Sequence, residues 1–113
     1  MLNLIKQYIH NKQKEQGKKR SSEWPKVRKQ HLEKFPKCEV CEGIFKLNVH
    51  HKLPFHLHPE LELDSTNLIT LCESDHNGLN CHLAIGHLGS FKSYNKNVDT
   101  DANIWNNKIK NRP

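Results

Sequence analysis

Leu2, Ile5 and Ile9, with Tyr8 beside them, stand at helical spacing, so residues 2–12 are expected to form a short amphipathic helix. The polar run KQKEQGKKRSS that follows has no apolar period and contains Gly17, the pattern of a flexible, charged connection. A second helix is expected from Ser22 as N-cap, with Pro25 tolerated in the first turn and Trp24, Val27, His31 and Leu32 along one face. Lys26, Lys29 and Glu33 fall on the other face. Pro36 disfavours helical geometry at Phe35, so this helix stops just before CEVC. From Ile44 the run FKLNVHH alternates and is rich in β-formers, and NLITLC at 67–72 reads as a short buried strand; together they predict a hairpin. The connection KLPFHLHPELELDST holds Pro54 and Pro59 and is too long for a tight turn, so it is expected to be irregular and functional. After Cys81, HLAIGHL predicts a helix of two turns stopped at Gly89. Asp99 or Thr100 then caps a terminal helix with Ala102, Trp105 and Ile109 on one face. The order is strand, long loop, strand, helix, between flanking N- and C-terminal helices: an α+β fold.

Composition shows what this pattern must be supplemented with. A chain of 113 residues makes one domain near the size at which apolar burial alone is marginal. With 35% hydrophobic residues and a mean hydropathy of -0.85, the ordering entropy calls for cross-links or metal. The chain divides into a basic arm, residues 1–21, and a single domain over residues 22–113. No stretch approaches the roughly 20 apolar residues of a membrane span, and the opening segment lacks the apolar run of a secretory signal. The expected location is therefore cytoplasmic, with no membrane partner.

The net charge of +6 is unevenly placed. Residues 1–34 hold ten Lys/Arg against three Asp/Glu, and the remaining 79 residues hold eight against nine. Such a basic block suits a polyanion, with affinity that falls steeply as salt rises; a solvated, solubilising face is the bland alternative.

In a reducing cytoplasm four cysteines point to metal ligation rather than two disulfides. Cys38 and Cys41 form a C-x-x-C knuckle, and Cys72 and Cys81 complete a tetrahedral thiolate site for zinc. The loop ESDHNGLN separates the second pair, and His76 within it is an alternative ligand. Four protein ligands leave no open position, so this zinc is structural and its binding energy is folding energy. A zinc ribbon without any chemistry explains the cysteines equally well.

His50 and His51, Asn67, and His82 next to Cys81 occur in one order inside that cysteine-bracketed segment. On a strand His50 and His51 point to opposite sides, so they need separate jobs: one facing a metal, the other a water. A helix starting at Cys81 returns His82 toward the hairpin. A metal held by few protein ligands keeps positions open for phosphate oxygen and water.

The pattern resembles the HNH nuclease family with its ββα-metal motif, particularly the small phage and prophage members. The stretches that carry the resemblance are SSEWPKVRKQHLEKFPKCEVC, LNVHHKLPFHLHPELELDSTNLITLC and NCHLAIGHLGSFKSYN. It implies an endonuclease domain over residues 22–113 that hydrolyses phosphodiester bonds in double-stranded DNA, leaving a 5′ phosphate and a 3′ hydroxyl. By the same resemblance His51 matches the general base, His50 and His82 match metal ligands, and Asn67 matches the asparagine that ties the hairpin loop and orients the base. Pro54 fits the family's H-H-x-x-P run.

Relatives place a further ligand four residues after the first helical one; here that position is Gly86, with His87 one step later, out of α-helical register. His87 is kept as a candidate ligand of the same ion. Magnesium or manganese is the expected catalytic ion, with nickel or zinc as alternatives suited to imidazole. The expected DNA contacts are Arg20, Lys26, Arg28 and Lys29, with Lys52, His56 and His58 near the cleavage loop. Phage members of the family accompany the terminase machinery, which makes that machinery the implied partner. Two other readings stand beside this one: a non-catalytic zinc module that binds nucleic acid, and an interaction protein whose histidines merely pack.

Overall fold

The computed structural model describes residues 19–73 and 80–111; the expected helix over residues 2–12, most of the basic arm, and His76 lie outside the described residues. The described elements are helix α1 (Trp24–Lys34), strand β1 (Leu47–His51), two short 3-10 turns (Pro59–Leu61 and Ser65–Asn67), strand β2 (Leu68–Cys72), a π-helical segment (His82–Gly86) and helix α2 (Val98–Lys110). This is an α+β arrangement in which a two-stranded hairpin is flanked by helices and a cysteine cluster.

Helix α1 starts one residue later than a Ser22 cap would have it. Glu23 holds the cap position without a side-chain bond, and the hydroxyl of Ser21, not Ser22, accepts an N–H, that of Glu23 at 3.0 Å. Pro25 sits in the first turn, where its missing N–H costs nothing. The helix ends at Lys34, with the Phe35 N–H returning to the carbonyl of His31 at 2.7 Å. His31 is the buried centre of its inner face.

The hairpin is shorter than the alternating run suggests. Ile44 and Phe45 are exposed and Lys46 takes a positive φ of 50°, so pairing begins only at Leu47. The antiparallel register sets Leu47 opposite Cys72, His50 opposite Ile69 and His51 opposite Leu68. Every residue of β2 is buried. It is covered on both faces: α1 packs on one, and the π-helical segment packs on the other. The small core joins Ile69 and Leu71 to Cys38, Val40, Cys72, Cys81, Val98 and Ala102.

After Cys81 the chain forms one π-helical segment rather than two α-helical turns, and Leu88 (φ 54°) and Gly89 (φ 88°) turn it away. Helix α2 begins at Val98, with Asn97 rather than Asp99 or Thr100 before it. Its inner face is Val98, Ala102 and half-buried Ile109, whereas Trp105 is exposed. Asn106 lies on the inner side and donates to the carbonyl of Val40 at 2.9 Å, so the inward direction passes through position 106 and not 105. Among the described residues no helix is long and apolar enough to cross a membrane.

Candidate functional site

The first cluster is sulfur. Cys38 and Cys41 lie in a tight turn closed by the Glu42 N–H on the Cys38 carbonyl and the Cys38 N–H on the Gly43 carbonyl, both at 2.9 Å. Glu42 takes a positive φ of 62° to make that turn. Cys72 ends β2 and Cys81 opens the π-helical segment, so all four sulfurs meet within 4.8 Å of one another, none in a disulfide. Cys41 and Cys72 are 3.6 Å apart at sulfur, close to the roughly 3.8 Å edge of a tetrahedron with zinc–sulfur bonds near 2.3 Å. The hydrogen bond from Cys81 holds the Cys38 thiol down at about 5, whereas burial pushes Cys41 up to about 11. The hydrogen bond to Cys38, followed by burial, pushes Cys81 up as well. Four crowded thiols cannot all ionise without a cation, and a dication that binds them displaces the remaining protons. The donor set is that of a structural zinc site.

The second cluster is nitrogen. His50 of β1, and His82 and His87 from the two ends of the π-helical segment, bring their ring nitrogens within 4.8 Å of one another. Nε2 of His82 lies 3.0 Å from Nδ1 of His50 and 3.1 Å from Nε2 of His87. Neighbouring ligands about 2.1 Å from a shared ion stand roughly 3.0–3.4 Å apart, so these three nitrogens fit one ion. The three rings meet edge to face, with centroids 4.7–4.9 Å apart.

Why His87 joins is a matter of helix type. Five residues separate His82 from His87, and the His87 N–H bonds the His82 carbonyl at 3.1 Å, an i→i+5 contact that brings residues five apart into register. Position 86 is left to glycine because a Cβ there would sit 3.1 Å from Cε1 of His50 and 3.1 Å from Cδ1 of Leu71. Asn95 holds the end of the segment: its backbone N–H bonds the Gly86 carbonyl and its Nδ2 bonds the Ile85 carbonyl, both at 3.0 Å.

The outer nitrogens fix two of the rings. Nδ1–H of His82 donates to the Glu73 carboxylate at 2.7 Å, and Nδ1–H of His87 donates to the Ser93 carbonyl at 2.8 Å. Both therefore present the lone pair of Nε2 to the cluster. Nε2 of His50 is buried without a hydrogen-bond partner. Burial, followed by the neighbouring His82 and His87, pushes His50 down to about 3, which keeps its ring neutral.

His51 points the other way from His50, as strand alternation requires. Its Nε2–H donates to the Glu62 carbonyl at 2.9 Å, which leaves Nδ1 as the nitrogen with a free lone pair. Trp24 stacks on its ring at 4.5 Å. Burial is the main cause that holds its pKa below the ordinary histidine value; Arg20 adds to this, and the Glu62 carbonyl works against it. Asn67 organises the loop between the strands. Its Oδ1 accepts from the Leu53 N–H at 2.9 Å, and its Nδ2 donates to the carbonyls of Leu53 and Leu61 at 3.1 and 3.3 Å.

His50, His51, His82 and His87 line a single cleft of about 620 Å³, with Arg20, Arg28 and His56 on its walls. The other expected DNA contacts are placed elsewhere. Lys26 and Lys29 are exposed on α1 away from the cleft. Lys52 pairs with Asp99 at the start of α2, at 2.9 Å. His58 is 3.4 Å from Glu60.

Sequence reasoning missed Glu73, because a lone carboxylate carries no spacing signal, and the Glu62 carbonyl, because a backbone acceptor is present at every residue; it also missed Phe91 and Lys92 on the cleft wall. Phe91 meets the rings of His87 and His82 at 4.9 and 5.7 Å.

A family model described as HNH endonuclease matches residues 38–87, the stretch from the first cysteine to the third clustered histidine. No curated protein and no solved structure matches the chain.

Proposed function

Residues 38–87 belong to the HNH endonuclease family, and from that premise we propose that the protein is a metal-dependent endonuclease that hydrolyses phosphodiester bonds in DNA. The observation that carries this reading is the convergence of three imidazoles on one point, with a fourth, His51, in the same cleft but outside the cluster. Packing alone gives no reason for two of those rings to have their outer nitrogens pinned and their inner ones aimed at each other.

His50, His82 and His87 are the residues that hold the ion, through Nδ1, Nε2 and Nε2. When bound, the ion supplies Lewis-acid polarisation of a phosphate oxygen and stabilises charge on the leaving 3′ oxygen. Three nitrogen donors favour manganese, nickel or zinc over magnesium, which prefers oxygen ligands. His51 accepts the proton of the attacking water at Nδ1, and its depressed pKa keeps it in the neutral, basic form at neutral pH. The Glu62 carbonyl keeps that ring from turning, and Asn67 ties down the loop that carries this carbonyl through its bond to the neighbouring Leu61 carbonyl. Arg20 and Arg28, with Lys92, position the phosphate backbone without reading sequence. A partner in the terminase machinery of a phage remains part of the proposal on the strength of the resemblance alone.

The test is nicking of supercoiled plasmid by the zinc-loaded protein with manganese, nickel, zinc or magnesium, beside a His51→Ala variant. The parent nicks, and the variant is slower by about 10²–10⁴-fold with zinc content unchanged. Equal nicking by both proteins removes His51 from the mechanism. Salt-sensitive binding with no nicking under any metal supports the non-catalytic zinc module instead.

A further inference from the structure

Resting on that reading of the imidazole cluster, we propose that Glu73 is a positioning residue for the ion: its carboxylate fixes the ring and tautomer of His82. The 2.7 Å contact to Nδ1 is short and has only one chemically sensible direction, because a carboxylate accepts and the imidazole N–H must donate. A proton fixed on Nδ1 puts the lone pair on Nε2, the nitrogen that faces His50 and His87. A carboxylate behind a ligating imidazole also raises the ring's basicity toward the ion.

The fold supplies reasons for this pair to meet. Glu73 follows Cys72 and His82 follows Cys81, so two neighbouring positions of the sulfur cluster set the distance between carboxylate and ring. Glu73 is held from behind by the side chain of Asn48, which also faces Arg28 at 3.5 Å on the cleft wall. A chain of contacts thus runs from Arg28 through Asn48 and Glu73 to His82. Glu73 is no ligand itself: it bonds the far nitrogen of the ring, and the nitrogen cluster consists of the three histidines.

The experiment is calorimetric titration of nickel into protein carrying one equivalent of zinc, for the parent, Glu73→Ala, Glu73→Gln and His82→Ala, with ¹⁵N NMR of the histidine rings before nickel is added. Glu73→Ala weakens nickel binding by about 10–100-fold and lowers the share of the Nδ1–H tautomer at His82. Glu73→Gln, which keeps a neutral acceptor, retains the tautomer and loses less affinity. Zinc content and circular dichroism distinguish these losses from unfolding, and the near-isosteric Gln variant keeps the comparison available if Ala does not fold. Nickel affinity within twofold of the parent in Glu73→Ala, or an unchanged tautomer, overturns the proposal while leaving the imidazole site standing. If His82→Ala binds nickel as the parent does, the site reading itself fails and the role of Glu73 falls with it.

Discussion

Three histidines are buried among the described residues, and each is buried differently. His50 faces two other imidazoles, His51 is stacked under Trp24 and bonded to a carbonyl, and His31 lies on the inner face of α1 with its Nε2 unpartnered. His87 is half-buried but tethered through Ser93. Burial, then the charges of Lys52 and Lys34, push the pKa of His31 below its ordinary value. Its effect on stability therefore has a definite sign. Near neutral pH and above, the ring is neutral in both folded and unfolded chains. As pH falls below about 6.5 the unfolded chain takes up the proton more readily, so stability is lost from there down through the lower folded pKa. A His31→Leu variant should lack this part of the acid sensitivity. Urea midpoints of parent and variant at pH 7.5 and 5.5 measure it, and an equal drop in both proteins would contradict the assignment. Of the residues at this scale, the His50 and His51 pair was the most legible, because strand alternation sends neighbours to opposite sides whatever surrounds them.

At the scale of elements, the π-helical segment shows where periodicity misleads. The spacing from His82 to His87 is wrong for an α-helix and right for the i→i+5 bonding that the segment adopts. Packing favours the choice: the ring of His50 and the side chain of Leu71 stand so close to Gly86 that even a Cβ at the α-helical ligand position would press on both, at 3.1 Å. Gly86→Ala should therefore displace His50 or the segment, at a cost of about 1–3 kcal/mol shared between stability and ion affinity. Thermal melts together with nickel titration check this. A variant that matches the parent in both would mean that the site has slack the geometry does not reveal. The hairpin and α1 were legible from alternation and from Pro25 and Pro36. Their exact ends were not, since these depend on the positive φ at Lys46 and on which serine hydroxyl the first turn meets. Helix α2 was recognisable too, but its buried face was misread at Trp105 because Asn106 found a carbonyl on Val40.

At the scale of the whole molecule, the apolar core of the described residues is small and is shared with the sulfur site. Of the eight residues in the buried cluster, three are cysteines of the sulfur site. Zinc bound there would supply folding energy on the order of 10 kcal/mol. Excess chelator should abolish the helical circular dichroism and the cooperative melt, and one equivalent of zinc should restore both; a chelated chain that still melts cooperatively would show the core to be self-sufficient. The sequence by itself determined the chemistry available: two cysteine pairs, histidines in fixed order, a basic N-terminal third, and elements whose types follow from short-range periodicity and proline. Tertiary structure alone decided which of these groups converge. The distance between His50 and His82 is set by strand pairing and by the sulfur cluster, the inclusion of His87 by the space beside Gly86, and the roles of the Glu73 carboxylate and the Glu62 carbonyl by which imidazole lies within hydrogen-bond reach. Local periodicity repeats every two to four residues and is written in the chain. Convergence joins residues about 10–40 positions apart, and no local rule encodes it.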